Sequence, residues 1–184
     1  NICKKNGLTK IVFSSTAAAY GLVSENKLID EHTNLNPQNP YAESKIKTEN
    51  FLFDNEENFQ FIILRYFNVA GADKKLRSGQ ISKKSTHLIK KISEVVVGKK
   101  DQIKIFGNNY NTPDGTAIRD YIHVSDLADI HVEVGKYLLK NLESNLFNCG
   151  YGNGFSVLDV VNTTNSIYQN KIVYKFSDRR EGDV

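Results

Sequence analysis

The stretch FQFIILRYFN, residues 59–68, is a continuous apolar run whose length and composition indicate a buried β-strand. KIVFSS, residues 10–15, is a second such run and ends in hydroxyl side chains. Between them, residues 41–55 are predicted to form a helix, because Pro40 fits a first helical turn and Asn39 can cap it. A buried strand, a helix and another buried strand predict a parallel α/β sheet.

The chain after Gly71 alternates between helical and strand patterns, which predicts further α/β structure. Turn-rich stretches separate the elements. Helices are predicted over 86–98, from a cap at Ser125 to 140, and from a cap at Ser156 to 168, and strands over 103–107, 118–124, 146–150 and 172–176.

The composition argues against several classes of protein. The formal net charge is +3 over 184 residues, and the basic residues are interspersed with acidic ones, so we expect no nucleic-acid partner. No apolar run approaches the roughly 20 residues of a membrane span, so no membrane partner is predicted. Cys3 and Cys149 match no zinc or redox spacing, which fits a reducing, cytoplasmic location. With isolated histidines and no paired carboxylates, no metal site is indicated.

PYAESK, residues 40–45, places Tyr41 and Lys45 four positions apart. On a helix such residues share a face, so the ammonium can lie beside the phenol. An isolated phenol has a pKa of about 10, and a neighbouring cation favours its ionised form. This pair can therefore take a proton from a hydroxyl near neutral pH, although an ordinary amphipathic helix gives the same spacing.

FSSTAAAYG, residues 13–21, delivers three hydroxyl side chains at the carboxyl end of the first predicted strand: Ser14, Ser15 and Thr16. In open parallel sheets, ligands bind beyond that end of the strands. A hydroxyl there can bind the same substrate oxygen that a tyrosine deprotonates. A serine-rich turn that caps a helix is the alternative, but the two motifs in this order favour a catalytic site.

SSTAAAYG (14–21), PYAESK (40–45) and LRYFNVAGA (64–72) together resemble the extended short-chain dehydrogenase/reductase superfamily. Three later stretches are similar to the UDP-glucose 4-epimerase family within it: IFGNNYNTPDGTAIRDYIHVSDLADIHV (105–132), LFNCGYGNGFSVLDVV (146–161) and RREGD (179–183). The resemblance covers nearly the whole chain.

This resemblance implies a fold and a division into domains. The fold would be α/β: the C-terminal half of a Rossmann-like parallel sheet with a smaller, mixed α/β substrate lobe. Residues 1–70 would be the second half of the NAD-binding domain, and 71–184 the lobe for a UDP-sugar. Within the lobe, residues 118–140 would return to pack on the first domain.

The resemblance also implies a reaction and its catalytic residues. UDP-galactose and UDP-glucose would interconvert by NAD-dependent oxidation at C4, rotation of the 4-keto sugar and re-reduction. Tyr41 would be the base, Lys45 its partner and a ligand of the nicotinamide ribose, and Thr16 the hydroxyl that binds the sugar. The residues along the nicotinamide would be Ser14, Tyr66 and Phe67, in addition to Tyr41 and Lys45.

For the UDP-sugar itself, the resemblance implies a further set of contacts. Arg119 and Arg180 suit a diphosphate, because guanidinium groups bind phosphate oxygens in pairs. From spacing alone, a salt bridge between Arg119 and Asp120 is an equal alternative. Besides Thr16 and these arginines, the substrate contacts would be Asn68, His87, Leu88, Phe106 and Asp183. The full-length protein would be a homodimer.

The sequence departs from the family at both ends. It contains no GxxGxxG loop for the NAD pyrophosphate and no acidic residue for the adenosine ribose, and it stops at RREGDV. We therefore expect an internal fragment that has little or no activity by itself.

The sequence also bears on functions other than 4-epimerisation of UDP-galactose. A nucleotide-sugar 4,6-dehydratase would carry Asp and Glu directly after Thr16, where this chain has Ala17 and Ala18. An epimerase of UDP-N-acetylhexosamines or UDP-pentoses remains open, as does an inactive binding module. The presence of Thr16, Tyr41 and Lys45 together favours a catalytic protein.

Overall fold

The computed structural model describes residues 2–23, 28–82, 84–140, 143–168 and 172–180. Five helices and eight strands lie in these ranges, with a single 3₁₀ turn over Ala17–Tyr20. In chain order they are α1 (Ile2–Lys5), β1 (Lys10–Thr16), α2 (Pro40–Phe53), β2 (Gln60–Tyr66), β3 (Asn68–Ala70), α3 (Leu88–Val96), β4 (Ile103–Phe106), β5 (Ile118–His123), α4 (Val124–Leu139), β6 (Asn145–Cys149), β7 (Gly154–Ser156), α5 (Val157–Ile167) and β8 (Tyr174–Ser177).

The first sheet has the strand order β1-β2-β6, and both pairings are parallel. Side chains of β2 alternate between its two faces, as the strand period of two requires. Ile62 and Leu64 pack in one buried cluster with residues of α4, and Phe61 and Ile63 pack in another with Leu52 of α2. Helices cover both faces, which explains the continuous apolar run in β2 and confirms the predicted α/β fold with a parallel sheet.

The other strands form two smaller sheets. One has the order β3-β5-β7, with a parallel and an antiparallel pairing, and the other pairs β4 with β8 in parallel. Helices α3 and α5 pack with β4 around the buried residues Ile92, Ile105 and Val161. The domain division at residue 71 stays a prediction. However, β6, which that division assigns to the substrate lobe, is hydrogen-bonded to β2 in the first sheet.

Three boundaries differ from the predictions. The helix predicted over 41–55 is α2, which begins at Pro40 behind an Asn39 cap and ends at Phe53. The cap of α4 is His123, whose Nδ1 accepts from the Ser125 amide at 3.1 Å, rather than Ser125 itself. The run 59–68 divides after Tyr66, because β3 leaves the first sheet to pair with β5. Among the described helices, none is both long enough and apolar enough to cross a membrane.

Candidate functional site

The carboxyl ends of the three strands of the first sheet lie in one row. The parallel register pairs Thr16 with Tyr66, and Tyr66 with Cys149. An open cavity of about 780 Å³ lies at this edge, where ligands bind in open parallel sheets. Seven of the predicted site residues line it together: Thr16, Tyr41, Tyr66, Phe67, Asn68, His87 and Arg119.

Tyr41 and Lys45 lie on one face of the first two turns of α2. The Asn39 side chain accepts from the Ala42 amide at 2.9 Å, which fixes the start of this helix. Lys45 Nζ donates to the backbone carbonyl of Ser14 at 2.9 Å, and it lies 5.6 Å from the centre of the Tyr41 ring. The Tyr41 side chain is exposed towards the cavity, while the ammonium beside it is held by the strand.

Thr16 ends β1 at the base of the cavity. It is buried to 8% exposure, and its hydroxyl oxygen accepts from the Ala18 amide at 3.2 Å, which caps the 3₁₀ turn. That oxygen is therefore held in place by the backbone. Thr16 and Tyr41 belong to different elements but line the same cavity, as the sequence predicts.

Ser14 lies beneath the cavity and is not one of its lining residues. Its hydroxyl is 3.2 Å from His131 Nε2, and His131 Nδ1 is 2.8 Å from the Leu127 carbonyl. Because a carbonyl can only accept, Nδ1 carries a proton, and in the neutral ring Nε2 accepts from Ser14. The Ser14 side chain thus points to α4, and only its carbonyl faces Lys45.

The remaining predicted residues occupy a different part of the structure. The Arg180 guanidinium lies over the Phe106 ring, 3.8 Å from its centre, at the end of β4. Leu88 packs against the buried cluster formed by β4, α3 and α5. None of these three lines the cavity, whereas Arg119 does and donates to the Ile118 carbonyl at 2.8 Å. Asp183 lies outside the described residues.

The loop that follows β6 forms one rim of the cavity and was not predicted as part of the site. The Asp120 carboxylate accepts from the Tyr151 amide at 3.2 Å and the Gly152 amide at 2.8 Å. Tyr151 donates through its hydroxyl to Asp126, and this hydrogen bond raises the pKa of Tyr151. A Cβ at Gly150 would lie 2.6 Å from an oxygen of the Asp120 carboxylate. Glycine at this position therefore lets the loop backbone lie close to Asp120.

Asn148, near the end of β6, is a further lining residue that was not predicted. Its side chain accepts from the Tyr20 hydroxyl at 2.6 Å. The rule that ligands bind beyond strand carboxyl ends could have identified it, had the pairing of β6 with β2 been known. Within the described part of the chain, no group of three or more His, Cys, Asp or Glu side chains could hold a metal ion.

Comparison with known proteins gives one consistent result. The profile of the NAD dependent epimerase/dehydratase family matches residues 1–150. The UDP-glucose 4-epimerase of Azospirillum brasilense is 48% identical over 183 residues, which are 98% of this chain and 52% of that protein. The chain thus spans about half the length of the curated relatives it matches.

Solved structures agree with this match. The UDP-glucose 4-epimerase of Bifidobacterium longum, crystallised with NAD⁺ and UDP, superposes with a TM-score of 0.88 at 35% identity, over 100% of this chain and 56% of that one. The UDP-Glc/GlcNAc 4-epimerase of Campylobacter jejuni superposes with a TM-score of 0.74 at 43% identity, over 99% and 56% respectively.

Proposed function

The chain belongs to the NAD dependent epimerase/dehydratase family, and on that premise we propose that the protein containing it interconverts UDP-galactose and UDP-glucose. The reaction inverts C4 of the sugar by oxidation, rotation of the 4-keto sugar and re-reduction. The observation that carries the proposal is the shared cavity of Thr16, Tyr41, Asn68, His87 and Arg119. Its volume, about 780 Å³, lies in the usual range of about 300–1,000 Å³ for small-molecule sites.

Tyr41 is the proposed base, and the local geometry supports this role. Its ring is exposed towards the cavity, and the Lys45 ammonium lies 5.6 Å from the ring centre. As the phenolate, Tyr41 takes the proton of the 4-hydroxyl while C4 gives up a hydride, and it returns the proton when C4 is reduced again. The hydroxyl oxygen of Thr16 accepts from the Ala18 amide. The hydroxyl proton of Thr16 is therefore left to donate to the same sugar oxygen.

The proposed contacts to the UDP moiety come from residues that line the cavity and from a stacked pair outside it. Arg119 supplies positive charge suited to a diphosphate, and Asn68 and His87 supply neighbouring donors. Arg180, stacked on Phe106 at the end of β4, is the proposed second cation, and Phe106 the proposed surface for uracil. Such stacking holds a guanidinium in a defined place, so little of its freedom remains to be lost on binding.

The residues present fit the nicotinamide end of NAD. A lysine ammonium, a tyrosine and the aromatic pair Tyr66–Phe67 lie together where β1 and β2 end. We propose that Lys45 holds the ribose hydroxyls and that Tyr66 and Phe67 border the ring. When bound, NAD⁺ supplies a reversible acceptor for the C4 hydride. The sequence contains no GxxGxxG loop for the pyrophosphate, so we expect the 184-residue chain alone to show little or no turnover.

Location and assembly belong to the same proposal. We propose a cytoplasmic homodimer. Native mass spectrometry of the protein expressed from its complete coding sequence would check the dimer.

The experiment that tests the function uses that same protein, incubated with UDP-galactose. UDP-glucose formation is followed through a coupled UDP-glucose dehydrogenase, for the wild type and for Tyr41→Phe. We expect conversion by the wild type and a loss of roughly 10²–10⁴-fold in kcat for the variant, the usual contribution of a positioned acid–base group. Tyr168→Phe, at a similarly exposed tyrosine directly after α5, is the matched control.

The substrate alternatives give distinct results in the same assay. UDP-N-acetylglucosamine is included because the Campylobacter jejuni relative is described as acting on both UDP-Glc and UDP-GlcNAc. Conversion of that sugar or of a UDP-pentose, without conversion of UDP-galactose, would replace the proposed substrate. A wild type that binds NAD and UDP but converts none of these sugars would point to the inactive binding module.

A further inference from the structure

A buried polar network joins α2 to the first sheet. Arg65 of β2 donates from Nε to one carboxylate oxygen of Glu49 at 3.1 Å and from Nη2 to the other at 2.5 Å. Ser15 of β1 donates to the first of these oxygens. Glu49 is 1% exposed and Arg65 is 4% exposed, so both charges are withdrawn from water.

The network continues to the wall of the cavity. Arg65 Nη1 donates to the Tyr20 hydroxyl at 3.0 Å, and that hydroxyl donates to Asn148 at 2.6 Å. Burial raises the pKa of Tyr20, so the hydroxyl keeps its proton and can donate. Asn148 in turn donates to the Ile29 carbonyl at 3.4 Å, so a second lining residue is tied to the same network.

Glu49 lies on the same helical face as the proposed catalytic pair. Tyr41, Lys45 and Glu49 follow one another at intervals of four residues, so they form a row about 12 Å long on α2. Two members of this row, Lys45 and Glu49, form hydrogen bonds with consecutive residues of β1. The Ser14 carbonyl accepts from Lys45, and the Ser15 hydroxyl donates to Glu49.

Stability alone does not account for this arrangement. Removing two charges from water is costly, and replacing a buried ion pair by apolar residues of similar volume is often neutral or stabilising. A buried pair of this kind can instead specify one geometry among several that an apolar contact would allow. Here an apolar contact would let α2 rotate or slide on β1 and β2, and Tyr41 and Lys45 would move with it.

We infer that Glu49 is a positioning residue for the reaction: through Arg65 and Ser15 it sets the rotation and height of α2, and thereby places Lys45 on Ser14 and Tyr41 in the cavity. This inference rests on the proposed function for its catalytic consequence. Its geometric consequence, the placement of Lys45, is measured separately.

The test compares two variants of the protein expressed from its complete coding sequence. Glu49→Leu combined with Arg65→Met removes both charges at similar volume, so no unpaired charge remains buried. Glu49→Gln removes one charge at constant shape and serves if the double variant does not fold. Glu43→Gln is the matched control, since it makes the same change at an exposed position of the same helix.

Three measurements are made: the thermal midpoint, the kinetic constants with UDP-galactose, and a crystal structure of the variant. We expect the double variant to melt up to about 10 °C below the wild type, because the buried Ser15 hydroxyl loses its acceptor. We expect kcat to be lower by roughly 10- to 100-fold and KM to change less than threefold, because misplacement by about 1 Å can cost 10²-fold in rate. In its crystal structure, Lys45 Nζ should lie beyond hydrogen-bond distance of the Ser14 carbonyl. Glu43→Gln should match the wild type in all three.

Two results would overturn the inference: a kcat within twofold of the wild type, or a crystal structure in which Lys45 still contacts the Ser14 carbonyl although kcat has fallen. If the wild type converts no UDP-sugar, the proposed function fails, and the crystal structure alone decides the inference. A displaced Lys45 then supports it, and an unmoved Lys45 overturns it.

Discussion

Lys45 reaches across from the second turn of α2 to the backbone of β1, where its ammonium donates to the Ser14 carbonyl at 2.9 Å. This bond joins a helix side chain to a strand main chain, so replacing the Ser14 side chain cannot remove it. It holds a cation 5.6 Å from the centre of the Tyr41 ring and 5.1 Å from that of Phe13, where the aromatic faces favour positive charge. The backbone of β1 thus holds the cation beside the proposed base.

Lys45→Met should reduce kcat by about a hundredfold or more, because a pre-oriented charge beside the reacting group is lost. The methionine keeps most of the apolar stem, so the thermal midpoint should change little. Lys47→Met removes an exposed lysine from the same helix and should leave kcat unchanged. Steady-state kinetics of both variants with UDP-galactose make the comparison, and equal kcat values would remove Lys45 from the proposed site.

Thr16→Val should reduce kcat by about 10- to 100-fold, since a hydrogen bond to an oxygen that gains charge is worth about 1.5–3 kcal/mol. The variant also loses the cap on the Ala18 amide, at a cost of about 1 kcal/mol in the free energy of unfolding. Thr16→Ser keeps the hydroxyl oxygen and should therefore keep most of the kcat and most of the free energy of unfolding. If the valine variant lost stability but kept its kcat, the hydroxyl would be a cap and nothing more.

Cys149 should resist thiol reagents in the folded protein. It is 3% exposed, and burial, aided by the charge of Glu31, raises the pKa of Cys149 from 9.0 to about 11. In a Cys3→Ser background, its reaction with an aromatic disulfide should be slow at pH 8 and should speed up as the pH rises towards 11. Cys3 in the wild type is exposed and should react first. Equal rates for both thiols at pH 8 would contradict this.

The raised pKa of Cys149 also makes the free energy of unfolding depend on pH. Because the folded-state pKa lies above the unfolded value, the neutral thiol stabilises the fold fully below about pH 9, and the contribution is lost as the pH rises to about 11. Urea unfolding of the wild type and of Cys149→Ala across that range should show a stability difference that narrows with increasing pH.

Gly71→Ala should destabilise the fold more than Gly98→Ala. Both glycines have positive φ, +89° and +71°, so alanine costs about 1–2 kcal/mol at either position. A Cβ at Gly98 would have no atom within 4 Å apart from its chain neighbours, whereas a Cβ at Gly71 would overlap the imidazole of His123, which caps α4. We expect a further 1 kcal/mol or so for the displaced cap. Urea unfolding measures both, and equal losses would show that the imidazole moves without cost.

Local chemistry made several elements predictable. Asn39 followed by Pro40 marked the start of α2, and the capping serine Ser156 marked the start of α5, where the structure shows a complete capping box with Asp159. The parallel α/β fold followed from the apolar runs over β1 and β2 and the helix between them. Pairings between distant segments were not predictable, because β6 joins β2 across about 80 residues of intervening chain and no local pattern specifies that partner.

The candidate site was predictable to a similar degree. Thr16, Tyr41 and Arg119 were expected near one another, and they line one cavity. Ser14 was expected there as well, but it lies two residues before the end of β1, where its side chain contacts His131 on α4 instead of the cavity. The stacking of Arg180 on Phe106 depends on side-chain conformation at the ends of two strands, which sequence spacing does not determine.

The parallel register of β1, β2 and β6 limits where residues can be inserted or deleted during evolution. Inserting one residue into the middle of β1 would exchange the faces of its side chains on one side of the insertion, so that Ser15 would turn away from Glu49 while Phe13 kept its side. Thr16 would also move one place out of the row it shares with Tyr66. Insertions and deletions in descendants of this gene should therefore accumulate in the connections between strands, while the three strands keep a constant length.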